Sequence, residues 1–244
     1  MQNTKFFIST IDKSYPIYIG KSAVSNSKKN LKILLKRSRK IAFFLDTKIS
    51  SNKIQSIIRG LNGKQISIFK IKSSEKNKNI FTVNYLLGKL AKKKFNRSDC
   101  IISVGGGIIG DISGFVASSY KRGMKFVNVP TTLLAQSDAC IGGKTGVNSK
   151  FGKNLIGSFY QPDLIISNTS FLNSLPNREI ICGYAEILKH AMIMDKKFFS
   201  WLIKNGLNLI KQKNHKFLTY AIYKSCKIKS AIVKKDEKEK NLRM

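Results

Sequence analysis

The chain has 244 residues, of which 42% are hydrophobic, with 45 basic against 13 acidic side chains and a formal charge of +32. That apolar fraction supports a real core and excludes wholesale disorder. No apolar run reaches the ~18 residues of a membrane span, and the first twenty residues, which carry Lys5, Asp12 and Lys13, do not read as a secretory signal. Cys100, Cys140, Cys182 and Cys226 are widely spaced with no CxxC pair, which points away from a disulfide framework and toward a reducing, cytoplasmic compartment. Only seven basic residues are Arg and 38 are Lys, dispersed among abundant Asn and Ile as in an AT-rich genome. Base-reading proteins lean on the Arg fork, so no specific nucleic-acid partner is expected.

In chain order, Lys5–Thr10 and Tyr15–Ile19 read as short strands and Asn26–Leu35 as a helix. Ile41–Leu45 is a continuous apolar run ending at Asp46, the signature of a buried parallel strand. A helix at Ile54–Gly60, a strand at Gln65–Ile71 and a helix at Ile80–Phe95 follow, the last with Val83, Leu86, Leu87 and Leu90 on one face. Cys100–Val104 is the next buried strand, Ile112–Ser119 a helix and Phe126–Val129 a strand. The alternation predicts an open, parallel-sheet α/β domain over residues 1–170. Beyond about 170 the strand signals stop. Helices are predicted at Asn177–Ile193, Lys196–Leu209 and Phe217–Lys235, so a helical domain is expected over 171–244.

Three stretches carry chemistry. Gly105–Asp111 (GGGIIGD) follows a strand and precedes a helix, as in a dinucleotide-binding turn where a helix N-terminus meets a pyrophosphate. The usual acidic residue ~20 positions on is absent, and Asp46 is the better partner for a ribose hydroxyl. Lys144 and Lys153, each preceded by Gly in a glycine-rich region read as loop, suit an anionic substrate, as does Arg122. Glu186, Lys189 and His190 share one face of a helix. A carboxylate on that otherwise apolar helix suits a metal or proton-transfer role, with a solvated Glu–Lys pair as the plain alternative.

In this order, the strings GGGIIGDISGFVASSYKRG, VPTTLLAQSDACIGGKTGVN, GKNLIGSFYQP and GYAEILKH closely resemble the 3-dehydroquinate synthases, from the first strand to Met244. The resemblance implies a Rossmann-like NAD domain followed by a helical metal- and substrate-binding domain, with NAD and one divalent metal, zinc or cobalt, as cofactors. The implied reaction converts 3-deoxy-D-arabino-heptulosonate 7-phosphate to 3-dehydroquinate and phosphate, in the shikimate pathway, by redox-assisted elimination and cyclisation in a homodimeric enzyme. By motif, Asp46, Glu75, Lys78, Gly106, Gly107, Ile108, Asp111, Thr131, Thr132, Leu134, Lys153, Phe171 and Ser174 are implied to line NAD. Arg122, Asp138, Lys144, Asn154, Lys189, Lys229, Glu239 and Arg243 are implied to meet substrate, and Glu186 to bind the metal. Ser74 stands where the family commonly has Gly, Lys48 replaces a usual neutral polar residue, and Ser174 replaces Thr.

Asp236–Arg243 resembles the family's D-E-x-E-x-x-x-R segment, which in the family leads into a histidine-bearing element. His190 and His215 do not match the family's histidine ligands. The chain is therefore expected to be the N-terminal two-thirds of the enzyme, with Glu186 its single metal ligand and no cyclisation activity of its own. Two alternatives stand beside this: another NAD- and metal-dependent sugar-phosphate cyclase or polyol dehydrogenase, and a Lys-rich, non-catalytic nucleic-acid-binding relic.

Overall fold

A computed structural model describes residues 3–11, 13–211 and 213–239. Nine strands and seven helices occur among them: β1 (Asn3–Ser9), β2 (Ser14–Gly20), α1 (Ala23–Leu34), β3 (Lys40–Asp46), α2 (Gln55–Ile58), β4 (Gln65–Ile71), α3 (Ile80–Lys92), β5 (Cys100–Gly105), α4 (Gly107–Ser119), β6 (Lys125–Pro130), β7 (Lys144–Ser149), β8 (Gly152–Phe159), β9 (Leu164–Asn168), α5 (Asn177–Met194), α6 (Lys196–Ile210) and α7 (His215–Lys235). Seven strands form one sheet in the order β1-β2-β9-β6-β5-β3-β4. All neighbours are parallel except the β1–β2 edge pair. The expected class, a mostly parallel α/β sheet followed by helices, is what the chain adopts.

The central strands are buried on both faces, which is why they read as unbroken apolar runs. Phe43, Leu45, Ile102 and Val104 pack with Leu31, Ile54 and Ile57 of the α1–α2 side. Their strand neighbours Ala42, Phe44 and Ile101 point the other way, onto Val83 and Leu86 of α3 and Ile112 and Val116 of α4. Farther along that second face, Ile17, Ile19 and Ile165 share a core with Ile187 of α5, Leu202 of α6 and Ile222 of α7. The predicted helix at 54–60 is the single turn of α2, Gln55–Ile58, entered through a 3-10 turn at Ser51–Ile54.

Three expectations need correction. The glycine-rich stretch after 142 is not a loop: β7 and β8 pair antiparallel as a hairpin. Its glycines mark close approach within a strand rather than a turn. A Cβ on Gly157 would stand 2.1 Å from the Thr145 carbonyl oxygen and 2.8 Å from the Gly146 Cα. Next, α4 begins at Gly107, five residues before the predicted start, because the tight turn needs only Gly105 and Gly106. Last, β9 went unpredicted. It is a five-residue strand inserted between β2 and β6, so its pairing depends on residues more than thirty positions away. No helix among the described residues is long and apolar enough to cross a membrane.

Candidate active site

A cleft of about 690 Å³ opens at the C-terminal rim of the sheet. The segment after β3 runs to the α2 side and the segment after β5 to the α4 side, so the two diverge and leave a crevice, the usual place for a ligand in an open α/β sheet. Asp46, Glu75, Lys78, Gly106, Gly107, Ile108, Asp111, Thr131, Thr132, Leu134, Phe171 and Ser174 all line it. Of the residues expected to meet NAD, Lys153 alone does not line it and stands exposed on β8. The first turn of α4 carries no acidic residue and no side-chain cap. Its leading N–H groups and positive dipole end therefore face the cleft at Gly107–Ile108, a ready site for a pyrophosphate. Lys78 Nζ is buried and donates to Asp111 Oδ2 at 2.5 Å and Asn154 Oδ1 at 2.6 Å, tying α4 to the β7–β8 hairpin. Burial raises the Asp111 carboxyl above its ordinary range although the Lys78 ammonium pulls the other way.

Beside the cleft the same segments continue into a charged cluster. Leu134 lines the cleft and leads into a single π-helical turn, Ala135–Ala139, that carries Asp138. Such turns are often found at functional sites. Glu179 lines the cleft too, and two and three turns farther along α5 stand Glu186 and His190. These elements touch because residue 183 is glycine: a Cβ there would lie 2.5 Å from the Leu134 backbone nitrogen. One donor atom from each of Asp138, Glu186 and His190 lies within 4.8 Å of the others. His190 Nε2 is 3.2 Å from Asp138 Oδ1 and 3.4 Å from Glu186 Oε1, and Lys229 Nζ on α7 is 2.7 Å from Asp138 Oδ1.

The cluster fits a divalent cation by its own geometry. The His190 Nδ1 is 2.6 Å from Ser225 Oγ, and Ser225 Oγ donates to the Ser137 carbonyl at 3.3 Å. A serine that gives its proton to the carbonyl can accept from Nδ1–H, and a cation seated between the two carboxylates would then take the Nε2 lone pair. That is an outer-shell arrangement typical of a ligating histidine. Asp138 Oδ1 is buried, and the approaching nitrogens are not aligned on it as hydrogen-bond donors. Burial pushes the Asp138 carboxyl up, but His190 and Lys229 override it and hold it at about 2, so it is ionised at neutral pH.

The other substrate residues divide. Lys144 pairs with Glu239 and Lys189 with Glu186. Lys144, Asn154 and Glu239 line a cavity of about 360 Å³ that shares Asp111 with the cleft. Arg122 is not brought there. It lies just past the C-terminal end of α4, and the Gly107 turn is at the other end, roughly 20 Å away at 1.5 Å per residue. Arg243 falls outside the described residues. The sequence assigned Glu186 as the one metal ligand, placed Asp138 on substrate and set His190 aside. The geometry brings all three together. The available signal for His190 was its i, i+4 spacing from Glu186; nothing local marked Asp138 as its partner.

Residues 68–182 match the 3-dehydroquinate synthase N-terminal family and residues 183–244 the 3-dehydroquinate synthase C-terminal family. The 3-dehydroquinate synthase of Pelagibacter ubique (strain HTCC1062) is 51% identical over 239 residues, which cover 98% of this chain and 65% of that protein. This chain thus spans about 65% of the length of the curated relatives it matches first. A 2-deoxy-scyllo-inosose synthase solved with carbaglucose-6-phosphate, NAD⁺ and Co²⁺ superposes with a TM-score of 0.89 at 25% identity, covering 98% of this chain and 65% of that one. A 2-epi-5-epi-valiolone synthase from Streptomyces hygroscopicus subsp. jinggangensis 5008, with NAD⁺ and Zn²⁺ bound, does so with a TM-score of 0.84 at 26% identity, covering 96% and 65%. From its glycine turn to its metal-fitting cluster, the chain belongs to the 3-dehydroquinate synthase family.

Proposed function

We propose that this chain supplies the dinucleotide cleft and a metal centre of a 3-dehydroquinate synthase, which turns a phosphorylated seven-carbon keto-acid sugar into 3-dehydroquinate and phosphate. The observation that carries this is the continuity of the cleft with the Asp138–Glu186–His190 cluster along two shared segments. NAD⁺ bound in the cleft supplies a reversible hydride acceptor, and a divalent cation on the cluster supplies a Lewis acid for substrate oxygens.

The protein's own groups do the positioning. The α4 N-terminus would hold the pyrophosphate, and Asp46, buried at the end of β3, would accept from a ribose hydroxyl. Lys144, Lys189 and Lys229 each rest on a carboxylate, and a substrate carboxylate or phosphate takes that partner's place through charge-assisted hydrogen bonds. Asn154 is held by Lys78, so cleft and substrate cavity are set relative to each other. Ser225 fixes the ring of His190. Arg122, past the far end of α4, would meet a substrate only from a second copy of the chain, in keeping with the homodimer the resemblance implies. The last sheet strand ends at Asn168 and the long helices start at Asn177, which supports a division near 170 between NAD and helical parts.

The test is to supply the heptulosonate 7-phosphate, NAD⁺ and Co²⁺ and follow phosphate and NADH together. Phosphate release without net NADH, lost in Glu186→Gln, marks a synthase and would overturn the expectation that this chain has no cyclisation activity of its own. NADH accumulating with substrate oxidation, and no phosphate release, would instead make the site a polyol dehydrogenase.

A further inference from the structure

In the cavity of about 360 Å³, Lys144 at the start of β7 faces Glu239, which lies beyond the end of α7. What brings the two together sits behind them. Glu237 is on the same stretch as Glu239, but its carboxylate is buried, with 6% of the residue exposed. Its Oε1 accepts from Gln161 Nε2 at 2.9 Å, and its Oε2 accepts at 2.9 Å from the N–H of Ile11, in the β1–β2 connection. A carboxylate is stable out of water only with such partners.

Gln161 is buried as well, and both ends of its amide are engaged. Oε1 accepts from the buried Tyr15 hydroxyl at 3.0 Å, while Nε2 donates to Glu237. Its backbone carbonyl takes Lys13 Nζ at 3.0 Å, and the same ammonium pairs with Asp163 at 2.7 Å. Against the amide packs Gly143, the residue before Lys144. A Cβ there would stand 2.7 Å from Gln161 Cδ and Nε2, and the φ of +67° favours glycine in any case. Gly143 is pinned from the other side, where its carbonyl accepts from the Tyr160 N–H at 2.6 Å. One side chain therefore bears on Lys144 through Gly143 and on Glu239 through Glu237.

We infer that Gln161 and Glu237 are positioning residues, whose hydrogen bond sets Lys144 opposite Glu239 across the cavity. The inference rests on the proposed function for what the cavity binds; the geometric link does not. Neither residue lines the cavity, so their part is to fix two charges that do. The Lys144–Glu239 pair is too weak to fix itself. Its ammonium is half-exposed, and such a pair gains little against the entropy of ordering both side chains. The buried network is shielded from water and salt and supplies the order. Glu237→Gln alone would set two amides against each other, and turning the Gln161 amide over would cost the Tyr15 hydroxyl its acceptor. In the exchange Gln161→Glu with Glu237→Gln, the new amide donates to the new carboxylate and accepts from the Ile11 N–H. The carboxylate still accepts from Tyr15, so each of these bonds is kept.

The experiment is competitive acetylation of the native lysines at fixed pH, read residue by residue by mass spectrometry. Lys144 reports its own pairing, and the other lysines report the fold. Glu239→Gln fixes the rate of a Lys144 without its carboxylate. Glu237→Gln should bring Lys144 toward that rate, about threefold or more above the native chain. Lys92 and Lys189 should change less than about 1.5-fold in the same variant. The exchange of both residues should return Lys144 to within about 1.5-fold of native. An unchanged Lys144 in Glu237→Gln, a rise shared by all the lysines, or an exchange that leaves Lys144 fast would each overturn the positioning role. With NAD⁺ and Co²⁺ present, the heptulosonate 7-phosphate should slow Lys144 further in the native chain. If it does not, while the variants behave as stated, the substrate reading of the cavity falls and the link from Glu237 to Lys144 stands.

Discussion

The cleft at the rim of the sheet and the metal-fitting cluster sit side by side, yet they are built differently. The cleft is mainly backbone: a glycine turn, the start of α4 and the ends of parallel strands. The cluster is made of side chains from three elements far apart in sequence: the π-helical turn with Asp138, α5 with Glu186 and His190, and α7 with Lys229 and Ser225. A backbone site tolerates side-chain change except where it fills the space. A convergent side-chain site depends on every member and on what orients it.

The sharpest way to break this contrast is His190→Ala. It removes one donor of three, and metal affinity should fall by more than the roughly 100-fold that loss of an outer-shell partner costs, with NAD⁺ binding unchanged. Cobalt titration followed by visible absorption checks it, and undiminished affinity would remove His190 from the centre. Ser225→Ala keeps the ligand but frees its ring and leaves a buried Nδ1 without its 2.6 Å partner. Metal affinity should drop about 10- to 100-fold and stability by about 1–3 kcal/mol, read by the same titration and by denaturant melts. Ser225→Thr, which keeps the hydroxyl, should restore most of both.

How much of this was legible in the sequence follows the same divide. Gly106, Gly107, Thr131 and Thr132 announce themselves because a turn and a helix start are local events. The hairpin β7–β8 was misread because its glycines serve close strand approach, and composition alone cannot separate that from a loop. His190 could be seen one turn from Glu186, but Asp138 joins them only because Gly183 lets α5 press against Leu134, a contact fifty residues long in sequence. The informative lysines were hidden among 38, and what the fold adds is that Lys78, Lys144, Lys189 and Lys229 each meet a carboxylate at the cleft or the cluster.

The smallest expected effect lies outside both sites. Asp195 caps α6 through Phe198 N at 2.9 Å and pairs with Lys224 at 2.6 Å. The hydrogen bond from Lys224, then that from the Phe198 N–H, lowers its carboxyl below the ordinary value. A depressed carboxyl contributes stability above its unfolded pKa and loses it as the pH falls through the folded one. Asp195→Ala should therefore cost about 1 kcal/mol at pH 7, with the difference from the native chain shrinking below about pH 4. Thermal melts at both pH values check it, and neither the cleft nor the cluster should respond.

The central claim is that the two sites are adjacent but separately built. Its most direct measurement is a crossed titration of NAD⁺ and Co²⁺ into Gly107→Val and Glu186→Gln. A Cβ at Gly107 meets only Ala139 at an ordinary 3.6 Å, so the fold accepts the substitution while the valine methyls crowd the helix start. Gly107→Val should weaken NAD⁺ about tenfold or more, roughly 1.4 kcal/mol, and leave Co²⁺ binding intact, whereas Glu186→Gln should lose Co²⁺ and keep NAD⁺. Loss of both ligands in either variant, or Co²⁺ binding that survives Glu186→Gln undiminished, would contradict it.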